Sequence, residues 1–214
     1  MTVENVTASR GYAGAQQATP YAEACERNRD PILDVLKWAF AESRDVLEIG
    51  SGTGQHAVYF ACHLPHLVWH TSELSEQHPG IRAWIEEAQP PNVRGPLALD
   101  VNESLWPIGA VDAVFTANTL HIMSWPSVER MFAGIARVLE PGGIVCVYGP
   151  FNYDGRYTSP SNARFDEWLK ARDPESGIRD FAAVDSLARD AGLALARDFP
   201  MPANNRSLVW RRAG

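Results

Sequence analysis

The chain has 214 residues, 45% of them hydrophobic and 21% charged, with a formal net charge of −7. That composition excludes a disordered polymer and suits one domain with a sizeable core. The negative charge argues against nucleic acid as a partner, because such binding rests on Lys and Arg, but it leaves small anionic ligands open.

No run of about 18 apolar residues occurs, so no membrane span is expected. The N-terminus lacks a basic stretch followed by an apolar one, so no signal peptide is expected and the cytoplasm is the expected location. Cys25, Cys62 and Cys146 are odd in number and scattered, which suggests neither a disulfide framework nor a zinc site. His63, His66 and His70 lie close in sequence, but Pro65 interrupts them and they fall on different elements. No metal site is expected.

Residues 1–20 are small, polar and rich in Gly and Ala, and read as a mobile segment or lid. Residues 21–214 read as a single domain. A helix is expected over 21–42, with Pro31 in a first turn. Strand one is expected at 45–49 with a helix at 54–63, and strand two at 67–72 with a helix at 75–88. Strand three is expected at 95–100, and strand four at 111–117 with a helix at 126–139. The turn Pro141-Gly142-Gly143 announces strand five at 144–148. Helices near 161–171 and 180–191 follow, then strands at 193–199 and 207–211, separated by a connection short enough for an antiparallel hairpin. Alternating strands and helices imply an α/β, doubly wound, seven-stranded and mostly parallel sheet with an antiparallel C-terminal strand.

Residues 46–56, VLEIGSGTGQH, are the most informative segment. An apolar strand leads into Gly50, Ser51, Gly52, Thr53 and Gly54 and then into a helix, the arrangement of a nucleotide-like binding site. The dinucleotide fingerprint needs a third glycine at position 55, where the chain has Gln55, so an NAD-dependent oxidoreductase is disfavoured. The spacing, with Glu48 just before it, favours S-adenosylmethionine (SAM). The bland alternative is a tight strand-to-helix turn with no ligand.

Ligands of such sheets sit beyond the carboxyl ends of the strands. After strand two comes Glu73, suited to accept both ribose hydroxyl protons, or else a surface Glu. After strand three come Asp100 and Val101, a carboxylate and a backbone N–H that can read adenine; the alternative is a turn Asp. After strand four comes Asn118, expected to touch the cofactor, and then His121. After strand five come Tyr148 and the run Gly149-Pro150-Phe151-Asn152.

These features together resemble a class I SAM-dependent methyltransferase. The segments ACERNRDPIL (24–33), GSGTGQHAVYFA (50–61), LALDV (97–101), ANTLHI (117–122), PGGIVCVYGPF (141–151), SPSNARFDEWL (159–169), GIRD (177–180) and MPANNRSLVWRR (201–212) resemble the family called domain of unknown function 938, whose animal members are the methyltransferase-like 26 proteins. Gly50 stands where relatives often have Ala, a change expected to be harmless. Residues 70–73 read HTSE where relatives more often read QPSD, so Glu73 replaces an Asp. The resemblance implies a fold and SAM as cofactor, and says nothing of the methyl acceptor.

Methyl transfer requires positioning and exclusion of water, and a base only where the nucleophile must lose a proton. His121 is the candidate base, since an unperturbed imidazole suits proton uptake. Tyr148 is a second candidate, to orient the acceptor. His56 belongs to the cofactor loop. Arg27 and Asn28, on the first helix, are candidates to close over the cofactor. Residues 150–206 supply the substrate-side loops, with Asn152, Asn162, Arg179, Asn204 and Asn205 as candidate acceptor contacts alongside Tyr148. The bland alternative is a loop-tying network, with Ser161 or Asn162 as an N-cap and Arg179 paired to Asp180 or Asp166.

The expected function is methyl transfer from SAM to a small polar acceptor, anionic ones included, by a monomer or homodimer. A protein or peptide methyltransferase and a non-catalytic SAM-binding sensor or scaffold are the competing readings.

Overall fold

The computed structural model describes residues 19–214. The expected lid over 1–20 therefore falls, but for its last two residues, outside the described residues. The elements in chain order are α1 (Glu23–Ala39), β1 (Asp45–Ile49), α2 (Gln55–His63), β2 (Val68–Glu73), α3 (His78–Ala88), β3 (Val93–Ala98), β4 (Val111–Ala117), α4 (Trp125–Val138), β5 (Leu139–Asn152), α5 (Pro160–Arg172), β6 (Arg179–Asp180), α6 (Phe181–Asp190), β7 (Leu193–Met201) and β8 (Asn205–Arg212). The strands lie in the order β3-β2-β1-β4-β5-β8-β7, with the two-residue β6 added to the end of β5. β1 to β5 are parallel, and β8 runs antiparallel between β5 and β7. The expected hairpin forms.

Strand periodicity builds two cores. Leu47, Ile49, Val114, Val145 and Val147 face α4 and α6. Val46, Ala113, Phe115, Ile144, Cys146 and Tyr148 face α1 and α2. Full burial of each large apolar side chain contributes about 1.5–3 kcal/mol. The sheet reverses its winding between β1 and β4, so the loops after these strands diverge and leave a crevice at their carboxyl ends.

Three sequence expectations need correction. Pro31 lies well inside α1, not in its first turn, so the helix forgoes one backbone hydrogen bond there. Pro141-Gly142-Gly143 does not precede β5 but forms an irregularity within it, with Gly142 at φ 79° and the β4–β5 register shifting beside it. β5 also continues to Asn152, because β8 and then β6 supply partners for Gly149 to Asn152.

Candidate active site

The glycine loop is built around Glu48. This carboxylate is 2% exposed, and its Oε2 accepts from Ser51 Oγ at 2.8 Å and from Trp69 Nε1 at 3.0 Å. Burial outweighs these donors and pushes its pKa up to about 7. Ser51 also receives the Ser72 N–H at 3.1 Å, and so fastens the loop to β2. Gly50, Gly52 and Gly54 all have positive φ, at 73°, 55° and 88°. A Cβ at Gly54 would meet Ile81 Cα at 2.9 Å, whereas one at Gly52 would meet nothing within 4 Å among the described residues. Gly54 is needed for helix packing, while Gly52 fronts open space. A Cβ at Gly50 would come within 2.9 Å of Thr119 Oγ1, so glycine there gives Thr119 its place against the loop. Thr53 is half-buried, and its Oγ1 accepts the Gln55 N–H at 3.4 Å.

Glu73 ends β2 beside this loop. It is half-buried, which raises its pKa, and its carboxylate receives the Leu74 N–H at 2.5 Å and faces the Gly52 N–H. Asp100 makes turn bonds through one oxygen: Oδ1 accepts from both the backbone and the side chain of Asn102, at 2.9 and 2.8 Å. Val101 is buried in the α4-side core. Asn118 adopts φ 58° directly after β4 and donates its N–H to Tyr148 O at 2.8 Å. A cleft of about 240 Å³ lies between Gly52, Thr53 and the start of α3, against Pro20 and Gly80. Gly52 and Thr53 of the glycine loop form one wall of it.

Asn28 and Arg27 part company. Asn28 is buried, with Oδ1 2.7 Å from His56 Nε2, while Arg27 is exposed and pairs with Glu23 at 2.9 Å. Helical spacing aims the two neighbours at different faces. His56 is buried, and its pKa falls to about 4, so it stays neutral. Tyr148 is 3% exposed and joins this group, with Asn28 and Asn205 facing its hydroxyl.

His121 sits elsewhere. Its ring packs edge-on to Phe165 of α5, with centroids 5.3 Å apart, and it lies beside Gly149. Burial, reinforced by Arg179, lowers its pKa to about 4. The ordinary imidazole titration expected from sequence does not hold in this pocket. Arg179 ties loops together: its Nε donates to Leu120 O at 3.1 Å, and Nη2 donates to Met123 O and to Glu175 O at 2.8 Å. Those bonds pin the loop that carries His121, in place of the expected Asp partners.

The other distal candidates divide in the same way. Asn162 is buried and donates to Thr158 Oγ1 and Asn204 O, and the N-cap is Ser159, not Ser161 or Asn162. Asn204 and Asn205 donate locally, to Ser161 Oγ and Pro202 O. Asn152 differs, because its Oδ1 is buried with no partner among the described residues, while Nδ2 reaches Ile178 O at 3.5 Å.

Sequence reasoning missed Trp69, Gln55 and Asp166. Gln55 Oε1 accepts the Ala22 N–H at 2.9 Å and ties α1 to the glycine loop. Asp166, 1% exposed, gathers Tyr157, Lys170 and the Ile178 N–H. Only the odd placement of a Gln and a Trp beside the loop could have signalled the first two. Among the described residues, no cluster of three or more His, Cys, Asp or Glu could hold a metal, and no helix is long and apolar enough to cross a membrane.

Residues 19–212 match the family described as "Protein of unknown function (DUF938)". The chain belongs to that family. This DUF938 chain is also similar in structure to several methyltransferases. An O-methyltransferase family protein from Burkholderia thailandensis superposes with a TM-score of 0.79 at 20% identity, over 90% of this chain and 58% of that one. The S-adenosylmethionine-dependent methyltransferase SibL in its apo form gives 0.76 at 25% identity, over 89% and 56%. Human N-acetylserotonin methyltransferase in complex with SAM gives 0.75 at 13% identity, over 90% and 53%. The DUF938 chain thus has the Rossmann-like methyltransferase fold and spans little more than half the length of these neighbours.

Proposed function

We propose that the chain is an S-adenosylmethionine-dependent methyltransferase acting on a small polar acceptor, and that its relatives include the methyltransferase-like 26 proteins. The observation that carries the reading is Gly52. It is left-handed, nothing among the described residues lies within 4 Å of its missing side chain, and it follows Glu48 in the loop after β1, with its N–H facing Glu73 at the end of β2. Such a cradle admits close backbone approach by a ligand. The fold neighbours that bind or use SAM support the same cofactor.

Bound SAM would supply a methyl group on an activated sulfonium. Gly50 to Gly54 and Glu73 would hold it, with Glu73 turned to the ribose and Asp100 and Val101 to the adenine. Asn118 would border the reacting end. His121, neutral at pH 7, would take the proton that the acceptor loses. Tyr148, held by Asn28 and Asn205, would fix the boundary of the cofactor space. A neighbour from Planctomyces limnophilus is in complex with apigenin, which supports a small-molecule acceptor over a peptide.

Calorimetry with SAM and with NAD tests the cofactor: SAM should bind and NAD should not, and no detectable SAM affinity would sink the proposal. An assay with labelled SAM against fractionated metabolites then tests turnover. Binding without any labelled product would favour the sensor reading.

A further inference from the structure

Gly149 is a buried glycine that the fold does not explain. It lies in the extended run of β5, paired with Arg206 of β8, and its φ is not positive. It precedes Pro150, a position where any residue is held extended. Glycine in a strand interior weakens the strand and usually marks a close approach. Packing does not demand it either. Among the described residues, an added Cβ would meet one atom within 4 Å beyond its chain neighbours, His121 Nδ1 at 3.8 Å. Gly134 is the contrast, where a Cβ would fall 2.0 Å from the Trp106 ring. Protein interiors are close-packed, so an open position beside a buried imidazole is space kept for something.

We infer that Gly149 is a specificity-determining residue, which holds open a notch beside His121 Nδ1 for the neutral hydroxyl group of the methyl acceptor. The inference rests on the methyltransferase reading. The chemistry of the walls selects the group. The imidazole is neutral and the Arg179 charge lies near, so an ammonium would lose its hydration and meet a like charge. A carboxylate would find the Nε and Nη2 donors of Arg179 already engaged by the carbonyls of Leu120, Met123 and Glu175. A hydroxyl can give its proton to Nδ1 without either cost. In the transfer, the new O–CH₃ bond forms as the S–CH₃ bond breaks, the electron pair stays on sulfur, and the hydroxyl proton passes to Nδ1. Phe165, edge-on to His121 with centroids 5.3 Å apart, gives the surroundings an aromatic face suited to a ring-borne hydroxyl.

Phenol is the probe and anisole, which has no proton to give, is its control. The full chain labelled with ¹⁵N-histidine is titrated with each while the His121 ring nitrogens are followed by NMR. Phenol should shift the Nδ1 resonance saturably, and anisole should bind at least about tenfold more weakly. Gly149→Ala should weaken phenol by about tenfold or more while SAM affinity stays within about twofold and Tm is kept or raised. No response to phenol, an equal response to anisole, or phenol binding unchanged in Gly149→Ala would each overturn the inference. The anisole comparison needs no variant. Failure of the wild type to bind SAM would instead overturn the methyltransferase reading, and the phenol response would show that separately.

Discussion

Trp69 donates its indole N–H to the carboxylate of Glu48 at 3.0 Å, across neighbouring strands and with both side chains almost fully buried. No cation shares that carboxylate among its hydrogen-bond partners. The site therefore holds a group that folding would rather keep protonated, and this has a measurable sign. Glu48 has a folded pKa of about 7 against an ordinary value of 4.5, so the folded state binds the proton more tightly than the unfolded state. The contribution of Glu48 to stability must fall as pH rises from about 4.5 through 7, by about 3 kcal/mol in full. Glu48→Gln should remove this slope. His56 and His121 have lowered pKa values and act in the opposite direction, but they contribute equally to both proteins. Urea midpoints from pH 5 to 8 provide the comparison, and parallel curves for the two proteins would refute the assignment.

Gly52 and Gly54 should fail in different ways. Gly52→Val meets open space and carries the left-handed penalty of about 1–2 kcal/mol, so the protein should fold and lose SAM binding. Gly54→Ala drives a methyl into the Ile81 backbone and should lower Tm first. Calorimetry and thermal melts on both variants separate the cases. Tight SAM binding by folded Gly52→Val would remove the cradle from the site.

Asp166 is a hub that joins α5 to the segment before β6. Asp166→Ala strands the buried Ile178 N–H and releases the exposed Tyr157 hydroxyl and Lys170 ammonium to water. The expected cost is about 1–3 kcal/mol, read from urea unfolding. A loss under about 0.5 kcal/mol, the range of ordinary surface substitutions, would mean that the network carries little.

Arg179 is a positioning residue. Arg179→Ala should release the 120–123 loop, so that the Ile122 and Met123 amides, bonded to Thr119 O, exchange about tenfold faster or more. SAM affinity should stay nearly constant. Arg179→Lys should not rescue, because one ammonium cannot reproduce a fork that spans three carbonyls. Unchanged exchange in both variants would return the arginine to a surface role.

Most of the sheet was legible because its strands are short apolar runs separated by turn residues. The glycine loop and the acids at Glu48 and Glu73 were legible because chemistry at strand ends has fixed spacing. The distal polar residues were not. Asn162, Asn204 and Arg179 look alike as binding groups and as ties between loops, and only three-dimensional partners decide between these roles. The depressed titration of His121 was invisible for a related reason. It depends on burial by Phe165 and on Arg179, both more than 40 residues away in sequence. Gly149 was read only as part of the run after strand five, since a sequence does not show whether a glycine's missing side chain leaves a gap.

Tyr148 and Gly149 are consecutive, yet strand pleating turns them to opposite sides: one towards Asn28 and Asn205, the other towards His121. Two adjacent codons thus address the two faces of the sheet. Directed evolution could reshape the His121 side through position 149 while position 148 keeps the Asn28 side intact. Deleting a single residue just upstream in β5 would exchange the two assignments and disturb both faces together.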